Sequence, residues 1–274
     1  MAVDAAALAG EIDAAWRAGT PIAAPPSGRG APFDLDAAYA VEAEVVRRRR
    51  AAGHATVGRK VGFANRAMWR VLKLETLVWA HMYDDTVRFA GDGAASWSMA
   101  GRIAPRIEPE IVVRLRDTIA PGTADPAEVA AALEWIALGF EIIDCPFAGW
   151  QFQPADFVAA RGLHAALVVG TPLAVTPEQA ADVAAALPAI GVTLSKQGAV
   201  VDTGSGRNSL KSPLFCVAEL AAAIARRLGA EPLVAGEIVS TGTLTSAQPV
   251  AAGERWSVAA TGLALAPVAL DVRP

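Results

Sequence analysis

Apolar residues recur at helical spacing at the start of the chain. Leu8, Ile12 and Trp16 fall at i, i+4 and i+8, which predicts a helix over 4–18 that Gly19 ends. A Pro/Gly-rich connector runs from Pro21 to Pro32. Asp34 or Asp36 then caps a second helix over 36–52, carrying Tyr39, Val41, Val45 and Val46. After it the pattern changes to short apolar, β-branched runs. Strands are expected at 56–63, within an extended segment at 79–88, and at 107–115, 139–144, 164–170, 190–196, 199–202, 237–241, 255–260 and 268–272. Between them the spacing predicts helices over 65–74, from Asp125-Pro-Ala-Glu128 to about Leu138, and over 213–228, the last two with proline in the first turn.

Many short strands, glycine-rich turns and few helices indicate an α+β chain: a helical N-terminal subregion (1–55) and a β-rich body (56–274). Strands and helices do not alternate regularly, which argues against a doubly wound nucleotide fold. Gly204-Ser-Gly206-Arg-Asn-Ser209 mimics a dinucleotide fingerprint, but it does not open a helix after a strand and is read as a turn or a loop near substrate.

Composition narrows the setting. Hydrophobic residues make up 53%, much of it alanine, yet no run of about 18 apolar residues marks a membrane span. A net charge of −4 argues against a nucleic-acid surface, and the one basic cluster, Arg47 to Arg50, ends a predicted helix where it complements the dipole. Two cysteines, Cys145 and Cys216, form no metal-type spacing, and the first residues lack a signal-peptide pattern. The expectation is a cytoplasmic protein without disulfides.

Candidate chemistry concentrates between residues 106 and 144. Glu108 and Glu110 lie two apart before an apolar run, so on a strand both carboxylates share a face. Glu141 opens a second such run. Carboxylates crowded together repel, and a divalent cation removes that cost; three of them suit Mg²⁺ or Mn²⁺, unless they are simply solvated strand residues. Lys60, between glycines on an apolar strand, is either an acid/base group or a snorkelling lysine. Asp84-Asp85 could hold Lys60 or the metal. His164 enters an apolar run and is a proton donor or a packed histidine; His81 shares the ambiguity. In Ser240-Thr241-Gly242-Thr243, hydroxyls and free N–H groups in a glycine turn could hold a carboxylate, or form an ordinary turn.

Taken together, Gly-Arg-Lys60-Val-Gly-Phe, Tyr-Asp84-Asp85, Pro-Arg-Ile-Glu108-Pro-Glu110-Ile, Phe-Glu141-Ile-Ile-Asp, Trp150 with Asp156-Phe-Val-Ala, and Ser240-Thr-Gly-Thr-Leu resemble the 2-keto-4-pentenoate hydratase family of the fumarylacetoacetate hydrolase superfamily. The resemblance covers nearly the whole chain. It implies a mixed β-roll or barrel body with flanking helices, and at least a dimer. It also implies a metal site of Glu108, Glu110 and Glu141 holding Mg²⁺ or Mn²⁺, a small 2-oxo acid as substrate, and Lys60 in acid/base steps.

On that basis the expected activity is hydration of a 2-hydroxy-2,4-dienoate in aromatic-compound catabolism. Lys60 with Asp85 would shuttle the proton, and Thr241, Gly242 and Thr243 would orient substrate or water. The alternatives are decarboxylation of a 2-oxo-3-enedioate, C–C hydrolysis of an acylpyruvate with His164 as water activator, or a non-catalytic 2-oxo-acid binding protein. Two stretches depart from the family pattern: Ala160-Arg161 stands where Asp-Asn is common, and Lys211-Ser-Pro where Gly-His-Pro is common. Arg161 could therefore read an extra substrate carboxylate or lock the site shut.

Overall fold

The computed structural model describes residues 3–274. Two helices open the chain, α1 (Ala5–Ala18) and α2 (Leu35–Ala51). Asp4 and Asp34 cap them by accepting from the backbone N–H groups of Ala7 and Ala37. The body then runs β1 (Thr56–Gly62), α3 (Arg66–Leu72), β2 (Val78–Tyr83), β3 (Val87–Phe89), β4 (Ala94–Ser98), β5 (Pro105–Leu115), α4 (Pro126–Ala131) and β6 (Leu133–Asp144). After these come α5 (Pro154–Ala159), β7 (His164–Val169), β8 (Leu173–Ala174), α6 (Ala180–Ala186), β9 (Gly191–Lys196) and β10 (Ala199–Ser205). The chain closes with α7 (Pro213–Ala225), β11 (Ile238–Thr243), β12 (Gln248–Pro249), β13 (Arg255–Thr261) and β14 (Val268–Arg273).

Strands form two mixed sheets. The larger has the order β2-β1-β11-β5-β6-β7-β3, with β12 and β8 attached to β5 and β6; the smaller has the order β10-β9-β13-β14-β4. Strands β5 and β6 are the longest and sit at the centre, so they are buried on both faces and read as near-continuous apolar runs. This explains a correction. The helix begun at Pro126 does not reach Leu138; it ends at Ala131, and Leu133–Asp144 is strand. A two-sided apolar strand has no alternation to distinguish it from a buried helix. Two short helices also escaped the periodicity: α5 is buried on every side, and α6 is mostly alanine.

The larger sheet is curled. Lys60 on β1 and Glu141 on β6 are three strands apart, about 14 Å along a flat sheet. Their charged atoms nevertheless lie 3.2 Å apart, so the sheet closes its concave face between them. Helices α1 and α2 share an apolar cluster with α5, Val78, Ile143 and Phe147. Asp156, on α5, accepts from the Ser27 backbone N–H at 2.8 Å and also engages the Ser27 hydroxyl, tying the connector to the body.

Strand β1 is pinned to the entry of β11 by an ion pair between Arg59 and Glu237, with Arg59 only 1% exposed. Removing one member of a buried pair strands the other charge, at about 3–5 kcal/mol. Glu237→Ala is expected to cost that much in urea unfolding. Glu134→Ala, which removes an exposed partner of Arg114, is expected to change stability by less than about 1 kcal/mol. Equal effects would refute the assignment of Arg59–Glu237 as the structural pair.

Candidate active site

The register of the central strands assembles the acidic cluster. Glu108 lies directly opposite Glu141, and Glu110 opposite Gly139. One carboxylate oxygen from each of Glu108, Glu110 and Glu141 falls within 4.8 Å of the others. A bulge in β11 supplies the next contacts. Its pairing slips between Ser240 and Thr243, and Gly242 sits at φ 98°, a left-handed conformation that suits glycine. The slip turns the Gly242 N–H onto Glu110 Oε2 at 2.9 Å, and the Ser240 hydroxyl binds the same oxygen.

These contacts leave Glu110 Oε1 buried with no hydrogen-bond partner, and Glu141 Oε2 likewise accepts no hydrogen bond. One orphaned oxygen and another met only by the charge of Lys60, in a three-carboxylate set, fit a hard divalent cation. Without one, the carboxyls hold their protons unusually tightly. Burial is the largest cause and pushes Glu108 up to about 8, with Lys60 opposing and Glu141 adding to the rise. Glu110 also rises to about 8, through burial and then the charge of Glu141. Burial raises Glu141 as well, against the pull of Lys60.

Lys60 is buried beside this cluster. Its ammonium donates to the Gly162 carbonyl at 2.9 Å, lies 3.2 Å from Glu141 Oε2, and sits 4.7 Å from the centre of the Phe157 ring. Gly162 has φ 62°, and a Cβ there would come within 2.4 Å of Lys60 Cδ. The bare backbone is what lets lysine and loop approach.

A cavity of about 680 Å³ opens onto these groups. Lys60, Glu108, Gly242 and Thr243 reach it, facing Phe63 and Trp150. Arg106 also lines it, its guanidinium 4.1 Å from the centre of the Trp150 ring. Sequence reasoning assigned no role to Arg106 or Gly162, and Ser240 entered only as part of a glycine turn able to hold a carboxylate; that carboxylate is Glu110. All three lie beside or within quoted motifs, but only the folded register shows what they touch.

The other candidates lie elsewhere. Thr241 is buried, its hydroxyl donating to the Ile111 carbonyl at 2.8 Å, so it braces β11 rather than facing the cavity. Asp85 is not beside Lys60. It pairs with Arg49 and lies with Asp84 and His54 in an exposed cluster, because the turn after β2 carries it outward. Arg161 does not enter the cavity either; its guanidinium stacks 3.9 Å from the centre of the Trp16 ring. His164 is buried behind the cluster. Its Nδ1 lies 2.9 Å from Glu141 Oε1 and its Nε2 2.9 Å from the Thr86 hydroxyl. Burial, with Lys60 and Arg161 adding to it, holds the imidazole well below its ordinary pKa. His81 pairs with Glu42 through Nδ1 at 2.6 Å.

Residues 78–268 match the fumarylacetoacetate (FAA) hydrolase C-terminal family. The chain belongs to that family. Among its relatives, 2-keto-4-pentenoate hydratase 2 of Dechloromonas aromatica is 32% identical over 96% of this chain and 95% of its own. A 2-hydroxyhexa-2,4-dienoate hydratase of Comamonas testosteroni is 29% identical over 84% of this chain and 83% of its own. The solved structure of a Pseudomonas putida 4-oxalocrotonate decarboxylase, complexed with magnesium and adipate, superposes with a TM-score of 0.86 at 28% identity, covering 98% of this chain and 97% of that one. The fold is that of the family, with its curled sheet and flanking helices. Among the described residues, no helix is long and apolar enough to cross a membrane.

The raised carboxyls carry a pH signature. In the metal-free fold they keep protons that the unfolded chain releases above the ordinary glutamate value of 4.5. Their contribution to stability is therefore fully present below that value and is lost as pH rises towards 8. A divalent cation binds the ionised form, so its stabilising effect grows over the same window. The thermal midpoint of metal-stripped protein is expected to fall from about pH 6 to about pH 8, and the gain on adding Mg²⁺ to be larger at the higher pH. An equal gain at both would contradict the carboxylate site.

Proposed function

We propose that this family member is a divalent-metal-dependent lyase that hydrates a 2-hydroxy-2,4-dienoate, with Mg²⁺ or Mn²⁺ held by Glu108, Glu110 and Glu141. The observation that carries the reading is the meeting of Lys60 with the three-carboxylate cluster at one cavity. The hydratase relatives support the substrate class.

When bound, the cation supplies positive charge against which charge can build on the substrate's C1 carboxylate and C2 oxygen. The protein's own groups do the rest. Lys60 is placed to give its ammonium proton to carbon and to take the C2 hydroxyl proton in exchange. Protonation at C5 converts the dienol to a 2-oxo-3-enoate, whose conjugation makes C4 electrophilic. Water then adds its oxygen to C4 and a proton to C3, giving a 4-hydroxy-2-oxo acid. Phe63, Phe157 and Trp150 give the cavity apolar walls for the carbon chain. Thr243 faces the cavity, but its hydroxyl donates to the Thr245 carbonyl at 2.9 Å, so water or substrate must meet it as an acceptor or at the neighbouring backbone.

A second reading, decarboxylation of a 2-oxo-3-enedioate, is favoured by one specific feature. Arg106 brings a guanidinium to the cavity, suited to a second substrate carboxylate.

The test follows the ultraviolet band of 2-hydroxypenta-2,4-dienoate with Mg²⁺ present and identifies the product by mass. Loss of the band with gain of one water is expected. Lys60→Met should lower kcat by about 10²–10⁴-fold while Mg²⁺ still binds. Gly162→Ala, which pushes on the Lys60 side chain, should lower kcat more than it raises KM. Wild-type turnover by Lys60→Met would remove the acid/base role. Carbon dioxide release from a dienedioate, without hydration of the dienoate, would move the assignment to decarboxylase.

A further inference from the structure

Behind the metal cluster lies a second, recessed cavity of about 280 Å³ that shares no lining residue with the first. Its walls include Arg49, Arg88, Arg102 and Arg161, together with Thr86 and His164. Asp85 is the one carboxylate among the lining residues, and Arg49 already engages it. Asp13 approaches Arg161 only at 3.9 Å from outside the wall. Four guanidiniums thus face a small space with little internal counter-charge.

Two of the poses are held by tryptophan rings. Arg161 stacks on Trp16, and Arg102 lies 5.4 Å from the centre of the Trp97 ring. Stacking fixes a guanidinium's plane while leaving its N–H edge free to donate. The Nε atoms of Arg49, Arg102 and Arg161 are buried without a hydrogen-bond partner. Burial lowers the pKa of Arg161, which Asp13 opposes and the charges of Arg49 and Arg102 reinforce. Three buried Nε–H donors without acceptors, carried on mutually repelling guanidiniums, describe a site for an oxyanion.

We propose that this cavity binds a small oxyanion carrying two negative charges, such as inorganic phosphate or a short dicarboxylate, at a site distinct from the substrate cavity. The recess is too small for a polypeptide segment, and forked donors match phosphate or carboxylate oxygens. Its floor is formed partly by Thr86 and His164, so the anion sits one side chain from Glu141.

The experiment titrates metal-stripped full-length protein with inorganic phosphate and, separately, with succinate, by calorimetry and thermal shift at ionic strength matched with sodium chloride. The expected result is saturable binding of one or both, and the better probe identifies the source. The double variant Arg88→Gln/Arg102→Gln should weaken it at least tenfold, whereas Glu108→Gln, at the metal cluster, should leave it unchanged. No binding of either probe beyond the sodium chloride control overturns the proposal. So does binding that the double variant leaves intact, or that Glu108→Gln abolishes. Sedimentation velocity covers the remaining case: a change of oligomer mass in the double variant with no effect of either anion would mean that a second copy of the chain fills the recess, and would also overturn it.

Discussion

Crowding of three carboxylates on one concave face is the constraint that the rest of the site answers. Desolvation disfavours each charge, and each charge disfavours the next. Glu108, Glu110 and Glu141 nonetheless have their oxygens within 4.8 Å of one another. The fold relieves this only in part. Ser240 and the Gly242 N–H satisfy one oxygen of Glu110, His164 meets one oxygen of Glu141, and Lys60 brings a positive charge to the other. What remains without a partner is Glu110 Oε1, buried in the cluster. A structure that spends its two central strands on crowding three carboxylates together makes sense when a cation completes it, and the same arrangement would then offer charge stabilisation to a chelating 2-oxo acid.

That constraint explains features of the scaffold that look unrelated. The parallel pairing of β1 with β11 sets Lys60 against Ser240, so the lysine strand and the bulge that holds Glu110 move as one unit. The ion pair of buried Arg59 with Glu237 ties β1 to the residue that leads into β11. Gly162 lets the loop before β7 lie directly on the Lys60 side chain, and its carbonyl fixes the ammonium. Each feature limits the freedom of Lys60, whose long chain would otherwise cost rotamer entropy to hold in place.

Much of this was legible in the sequence, and the reasons differ by residue. The spacing of Glu108 and Glu110 reports a shared strand face because the strand period is two, and that is a local property. Glu141 entered from the start of an apolar run, although the helix drawn through to Leu138 hid how long its strand is. Long-range placement was not legible. Asp85 and Lys60 lie in adjoining strand segments of the sequence, yet the turn after β2 sends Asp85 to Arg49. Arg161 departs from the family pattern two residues from Leu163, which lines the substrate cavity, but left-handed backbone at Arg161 and Gly162 carries its side chain away towards Trp16. The difference between Thr241 and Thr243 depends on a one-residue bulge that no periodicity reveals.

The geometry of His164 bears on which reaction the site can run. A water activator must reach a water in the substrate cavity with a free nitrogen. Both nitrogens of His164 are engaged, one by Glu141 and one by Thr86, and the ring lines the recess behind the cluster instead. A histidine bonded to a carboxylate of the acidic cluster and to a hydroxyl fixes the orientation of that carboxylate, which is a positioning role. Hydrolysis of a C–C bond thereby loses its best-placed activator in this chain, while proton transfer by Lys60 needs no such group. The choice left open to chemistry is between hydration and decarboxylation, and it falls on the distal end of the cavity. A dienoate with a plain alkyl or hydrogen terminus leaves Arg106 stacked on Trp150 without an anionic partner, whereas a dienedioate would give that guanidinium a carboxylate to bind.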